Sequence, residues 1–272
     1  MEQRYATNPD QIPAMNTAEL RERYLISDVF VSGEITLTYT HQDRIVVGGA
    51  TPKEVPLTLT APAELRAEFF LQFRELGIIN VGVTGTVTVD GAVFELPKGA
   101  CLYVGRGSRD VVFAGDGAQF YLFSAPAHTA YPTVLTLPGQ GNRIELGEQV
   151  TSNQRVINQY IHLNGVQSCQ IVMGVTELSP GSMWNTMPAH THDRRTECYL
   201  YFDVPAEARV IHLLGEPTET RHLVVADREA IISPSWSIHS GVGTAAYSFV
   251  WAMAGENQEF TDMDPVPPAA LL

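Results

Sequence analysis

His190 and His192 stand one residue apart, and Glu197 follows five residues after the second, in the run MPAHTHDRRTECYLYF. Imidazole nitrogens and a carboxylate are donors that a divalent transition ion accepts, and zinc takes three or four of them at about 2.0–2.2 Å. On a strand, residues i and i+2 share a face, so the two imidazoles can aim at one atom. Glu197 lies an odd step from His192 and joins them only if the charged DRRT stretch turns or bulges and resets the alternation. A further donor, His239, follows Pro234 by five residues in SPSWSIHSGVG. A lone His-x-His is also met as a pair of surface imidazoles; the spaced glutamate and the distant histidine favour a metal. Cys198 points away from Glu197 by the same alternation. With Cys101 and Cys169 it reads as a buried apolar thiol, since three widely spaced cysteines with no CxxC make neither a disulfide framework nor a thiolate cage.

Such donors need a rigid frame, and the frame reads as all-β. EITLTYT, RIVVGGA, GIINVGV, TVTVDGAVFEL, CLYVG, DVVFAG and QFYLFSA follow one another in the first half, rich in β-branched and aromatic residues and separated by Gly, Asp or Pro. CQIVMGVTEL, CYLYFDV, ARVIHLLG, RHLVVADREAIISP and YSFVWAM repeat the plan in the second. Many short strands at even spacing predict sandwiches or barrels. Asp90-Gly91 predicts a tight hairpin turn, because both residues tolerate positive φ. Helix is expected only in NTAELRERYL, capped by Asn16 or Thr17 with Glu19 close behind, and in PAELRAEFFLQF. The Pro- and Gly-rich stretch 124–149 reads as the crossing between two domains, residues 1–135 and 136–272.

The 272 residues suffice for two such domains. A formal charge of −13, with no basic patch longer than Arg194-Arg195, gives no electrostatic footing for nucleic acid. The N-terminal run lacks the apolar core of a signal peptide and no window reaches the ~18 apolar residues of a membrane span, so we expect a cytoplasmic protein with no membrane partner.

A faint internal repeat sets ACLYVGRGSRDVVF from Ala100 against the segment starting at Glu229 or Ala230, and RELGIINVG from Arg74 against TECYLYFDV from Thr196. Opposite His190, His192 and His239 then stand Glu68, Phe70 and Arg109, with Glu75 opposite Glu197. Phenylalanine cannot ligate a metal and an arginine repels one, so the first half is expected to be metal-free.

The donor pattern resembles the cupin superfamily, small β-barrels with a first motif G-x5-H-x-H-x3-4-E and a histidine shortly after a Pro-x-Gly in the second. Here Gly181, Ser182 and Met183 cover the ground of the first motif's glycine and Trp236 takes the second's, while all four donors are present. More narrowly, WNTMPAHTHDRRTE, ISPSWSIHSGVGT, RELGIINVG, HQDRIVVGGA, APAHTAYPT, TSNQRVINQYI and GENQEFTDMD, spread over residues 41 to 264, together resemble the 5-keto-4-deoxyuronate isomerases. That resemblance implies two cupin (jelly-roll-like β-barrel) domains, one Zn2+ per chain held by His190, His192, Glu197 and His239 in the second, and a homohexamer. It implies a ketol-isomerase of pectin and uronate degradation, converting the small-molecule keto-uronate 5-dehydro-4-deoxy-D-glucuronate to 3-deoxy-D-glycero-2,5-hexodiulosonate.

An aldose–ketose shift needs a base to take the proton beside a carbonyl, an acid to return one, and support for the enediolate oxygens. Tyr160, Glu177 or a water on the metal are the candidate proton carriers, and the sequence does not choose among them. The substrate carboxylate calls for an arginine fork; Arg155 is preferred over Arg194, Arg195 and Arg221 because it lies in a stretch of strong family likeness. Trp184, Asn185 and Met187 precede the ligands and can wall the pocket. His212 and His222 read as core or surface histidines. Two rival functions share the donor set: an Fe(II) cupin dioxygenase, and a sugar-acid-binding bicupin without catalysis.

Overall fold

Apolar runs such as LGIIN and CYLYF exceed what a strand with one wet face carries. In the computed structural model, which describes residues 1–272, the strands Arg74–Asn80 and Arg195–Phe202 are buried at every residue. Alternation sends their side chains into different cores. Leu76 and Ile78 enter one, and Ile79 enters the next. Tyr199 and Tyr201 enter a third, while Cys198, Leu200 and Phe202 share the core of Ile79.

These cores separate four sheets. Each half builds a seven-stranded and a four-stranded sheet, the second half borrowing Leu25–Ile26 from the first as its seventh strand, and a two-stranded ribbon completes the count. The two seven-stranded sheets face each other across the largest core, of 24 residues. Each four-stranded sheet covers the outer side of its own seven-stranded partner, Val87, Val111 and Phe113 in the first half and Val210, Leu223 and Val225 in the second. The stack thus runs outer, inner, inner, outer, and the central strands of the inner sheets have no wet face.

The expected closed barrels are not formed by hydrogen bonds. The first inner sheet ends on Glu2–Arg4 and Val134–Thr136, the second on Leu25–Ile26 and Asn142–Leu146. Facing layers held about 10 Å apart by side chains cannot bridge to the ~4.8 Å of a ladder, and edges this short offer few groups for doing so.

Local signals fare unevenly. Gly85–Val89 and Ala92–Leu96 pair through a two-residue turn in which Asp90 and Gly91 have φ of 47° and 86°, the geometry of a primed hairpin. The helix Thr17–Tyr24 starts at Asn16, whose Oδ1 accepts from Ala18 N and Glu19 N while Glu19 returns a bond to Asn16 N. PAELRAEFFLQF makes only the 3-10 turn Ala63–Leu65. It has no side-chain cap, Arg66 adopts φ 50°, and Phe70 and Leu71 are drawn into the core instead.

The chain passes from the first inner sheet to the second between Thr136 and Asn142. Residues 9–26, sequentially in the first half, lie on the second: Ile12, Leu20, Tyr24 and Leu25 enter its core, and Leu25–Ile26 pairs with Ala230–Ser233. No helix is long and apolar enough to cross a membrane.

Candidate metal centre and its cavity

His190 sits on the short strand His190–Thr191, which pairs with Asp264–Pro265 near the chain end. His192 follows it. The backbone then turns, Arg195 N donating to the His192 carbonyl at 3.0 Å, and this turn within DRRT resets the alternation. Glu197 accordingly shares a face with Tyr199 and Tyr201, inside the second half. His239 enters from just before the strand Ser240–Gly243. The ligating atoms of His190, His192, Glu197 and His239 all lie within 4.8 Å of one another.

The contacts among these donors call for a cation. His192 Nδ1–H donates to the Arg195 carbonyl at 2.8 Å, which fixes the tautomer and leaves the Nε2 lone pair facing Glu197 Oε2 at 3.0 Å. His239 Nε2 lies 2.9 Å from both Glu197 Oε2 and His190 Nε2. Lone pairs packed this way in a buried site repel unless a proton or a metal lies between them. Adjacent donors about 2.1 Å from one ion sit roughly 3 Å apart, as His192 and Glu197, His239 and Glu197, and His239 and His190 do. Burial, followed by the His239 imidazole, pushes His190 down to about 3, so the ring is neutral and ready to ligate. Burial alone would raise the Glu197 carboxyl, but the His239 and His192 imidazoles beside it outweigh that and hold it below the usual range.

A cavity of about 230 Å³ opens on this cluster, with His190 and Glu197 in its wall. Phe249, Trp251, Met253, Phe260 and Met263 make it apolar, and Arg155 is the one lysine or arginine that lines it. Burial lowers the Arg155 guanidinium, with Tyr199 and Tyr247 opposing.

A profile of the KduI/IolB family matches residues 25–265. The 4-deoxy-L-threo-5-hexosulose-uronate ketol-isomerase of Kineococcus radiotolerans is 63% identical over 278 aligned positions, covering 100% of both chains, and the protein of that name from Bacillus pumilus is 56% identical over 98% of each. The chain belongs to the KduI/IolB family. The resemblance carried by the quoted segments is therefore met along the full length. Among solved structures, an IolB-like protein from Salmonella typhimurium superposes with a TM-score of 0.73 at 16% identity, covering 89% of this chain and 96% of that one. An oxalate decarboxylase superposes at 0.60 and 12% identity, covering 89% and 79%. Both likenesses concern the fold.

Within this KduI/IolB chain the four expected donors come together, and Arg155 and Met187 join them at the cavity. The two proposed proton carriers do not. Thr176 lines the cavity, so its neighbour Glu177 faces away, exposed, and accepts from Asn158 Nδ2 at 3.1 Å. Tyr160 belongs to the core between the inner sheets and donates to the Gly99 carbonyl at 2.9 Å. Trp184 and Asn185 are not in the cavity wall; Asn185 is fully buried behind Thr186, which is. Arg221 lies on the outer sheet, bonded to Thr220 and Pro13 carbonyls. His222 is exposed and His212 is buried, with Tyr201 Oη 2.7 Å from its Nδ1.

Arg194 and Arg195 hold protein rather than ligand. Arg194 forks onto Asp262 at 2.8 and 2.6 Å and reaches Asp264 at 3.0 Å. Arg195, fully buried, donates to the Glu259 and Asp262 carbonyls at 2.7 and 2.8 Å. Together they fasten the segment that carries Phe260 and Met263 into the cavity wall. Sequence reasoning missed these two, and Tyr199 and Thr186. Period-two alternation from Glu197 points to Tyr199; nothing local marks the tail.

Glu75 departs from its expected place. It shares a face with Gly77 and Ile79, not with Leu76 and Ile78, and so points out of its own sandwich toward the other half. There it accepts from Tyr103 Oη at 2.8 Å and from the backbone of Cys169, Gln170 and Ile171 at 2.6, 2.8 and 3.0 Å. Leu76, paired with Val104 as Glu197 is with Ser233, is the residue that faces inward. Arg109 and Glu68 lie 4.0 Å apart at the surface, and Phe70 is core.

Proposed function

We propose that this chain is a ketol-isomerase that converts 5-dehydro-4-deoxy-D-glucuronate to 3-deoxy-D-glycero-2,5-hexodiulosonate in pectin and uronate degradation. One zinc ion per chain is held by His190, His192, Glu197 and His239 in a C-terminal cupin domain, residues 136–272, beside a metal-free N-terminal cupin domain, residues 1–135. The enzyme works as a cytoplasmic homohexamer. What carries the reading is one conjunction: full-length similarity to proteins of that activity, and a buried three-histidine, one-carboxylate cluster opening on a cavity with a single guanidinium.

A divalent ion in this set supplies Lewis-acid polarisation of neighbouring oxygens, easing enolisation beside a carbonyl. Arg155 meets the substrate carboxylate and sets which end of the sugar acid faces the cluster. Phe249, Trp251 and Phe260 exclude water from the reacting carbons. Tyr160 and Glu177 lie off the cavity, so proton transfer at C1 and C2 falls to groups within it.

The test is turnover of the keto-uronate by the zinc-loaded protein under anaerobic conditions, with product followed by NMR. Ketose product formed without oxygen supports the isomerase. Oxygen consumption coupled to substrate loss would favour the Fe(II) dioxygenase, and saturable binding without turnover the sugar-acid-binding protein.

A further inference from the structure

A chain of hydrogen bonds runs from the interior of the second half to the cavity wall. It begins at Tyr247 Oη, whose two partners, Asn185 Oδ1 and the Gly241 carbonyl, only accept. With its oxygen engaged by Tyr247, the Asn185 amide presents Nδ2 to Thr186 Oγ1 at 3.0 Å. Thr186 Oγ1, already accepting, lies 3.1 Å from Tyr199 Oη. Asn185 and Tyr247 are buried, and Thr186 and Tyr199 both line the cavity.

Tyr247 gives to Asn185 and Asn185 to Thr186, whose own hydrogen has Tyr199 Oη as its one protein acceptor within reach; across that contact either hydroxyl can donate. When Thr186 donates, the Tyr199 oxygen accepts and the Tyr199 hydrogen is free to enter the cavity. We propose that Tyr199 is a catalytic hydrogen-bond donor of the ketol-isomerase reaction, its O–H turned into the cavity by the Tyr247–Asn185–Thr186 relay and aimed at the substrate oxygen that gains negative charge on enolisation. The inference rests on the isomerase reading of this cavity. It assigns a role to Asn185 as well, that of a positioning residue acting through Thr186 rather than a contact to substrate. It also gives physical work to Tyr247, 48 residues away from Tyr199 in sequence, whose deletion frees the amide to rotate. A rotated Asn185 presents its oxygen to Thr186, Thr186 then donates inward and accepts from Tyr199, and the Tyr199 hydrogen is drawn away from the cavity.

This reversal makes the relay testable apart from simple packing. Tyr199→Phe, Thr186→Val, Tyr247→Phe and the double variant Y199F/Y247F are compared with wild type on the keto-uronate, with zinc content and thermal midpoint measured on each. Tyr199→Phe is expected to lower kcat roughly 10²-fold, the scale of one donor lost from a developing oxyanion, with zinc content unchanged and KM moved far less. Tyr247→Phe and Thr186→Val are expected to lower kcat several-fold, and the Tyr247→Phe effect to vanish in the Tyr199→Phe background. A Tyr199→Phe enzyme with wild-type kcat would overturn the inference while leaving the isomerase standing. So would additive effects of Y199F and Y247F, since the relay would then not act through Tyr199. A zinc-loaded wild type inactive on the keto-uronate would overturn both readings at once.

Discussion

Two buried glutamates on corresponding strands do opposite work. Glu197 faces the interior of its sandwich, where three imidazoles converge on it; Glu75 faces the neighbouring half, where three backbone N–H groups and a phenol satisfy it. Each answers the same problem, that a carboxylate taken from water needs partners of opposite polarity. The difference is one residue of register. A single step along a strand moves a side chain to the other face, so the first half puts Leu76 where the second puts Glu197. The first half has thereby become a clamp: Glu75 pins residues 169–171, and Asp43 Oδ2 accepts from Thr196 N and Oγ1 at 3.1 and 2.5 Å, next to Glu197.

Variants at matched positions should separate the halves. The largest contrast is expected between His239→Ala and Arg109→Ala: the first should lose the metal and roughly 10³-fold or more in turnover, the second neither, as metal analysis and kinetics on both will show. Equal metal loss in the two would break the assignment of one site to the second half. Glu75→Gln should keep its metal yet lose about 2–4 kcal/mol of stability in urea unfolding, because an amide leaves some of the four donors without a charged acceptor. Asp43→Ala is expected to weaken metal affinity by roughly tenfold, the scale of an outer support removed from a ligand, read by competition with a chelator; unchanged affinity would mean that the clamp does not reach Glu197.

The smallest effect concerns the tail over the cavity. Arg194→Ala should raise KM a few-fold and speed amide exchange over residues 257–264. Hydrogen bonds from Arg194 and Asn257 hold the Asp262 carboxyl down at about 2, below its ordinary 3.8. A carboxyl depressed in the folded state contributes fully above its ordinary value and loses that contribution as pH falls through the folded one. Tail protection should therefore be flat from neutrality to about pH 4 and decline only between there and pH 2. A decline already complete at pH 5 would mean that another group fastens the segment.

How much of this was legible in the sequence follows the range of the interactions. The donor set was readable because two of its members are local and because DRRT advertises the turn that brings Glu197 onto their face. The Asp90-Gly91 hairpin and the Asn16 cap were equally local. The stacking of four layers was not, since a strand buried on both faces has no alternation to betray which core each side takes. Glu75 shows the same blindness at one residue, where aligned letters agree and the faces are opposite. Tyr160 and Glu177 lie off the cavity for that reason too: their types suit proton transfer, but face decides access. Arg194 and Arg195 were considered as forks for the substrate carboxylate, but their partners are carboxylates and carbonyls of a tail some 60 to 70 residues onward, as in the Arg194 to Asp264 contact, and nothing local announces it.

On the proposed reading, a metal in the second half's cluster drives ketol isomerisation. Plasma mass spectrometry of the purified protein, paired on the same sample with keto-uronate turnover before and after chelation, is the decisive check. Close to one zinc per chain is expected, with turnover that falls on chelation and returns when zinc is restored. Iron in place of zinc with no isomerase turnover, or full turnover after the metal is gone, would contradict it.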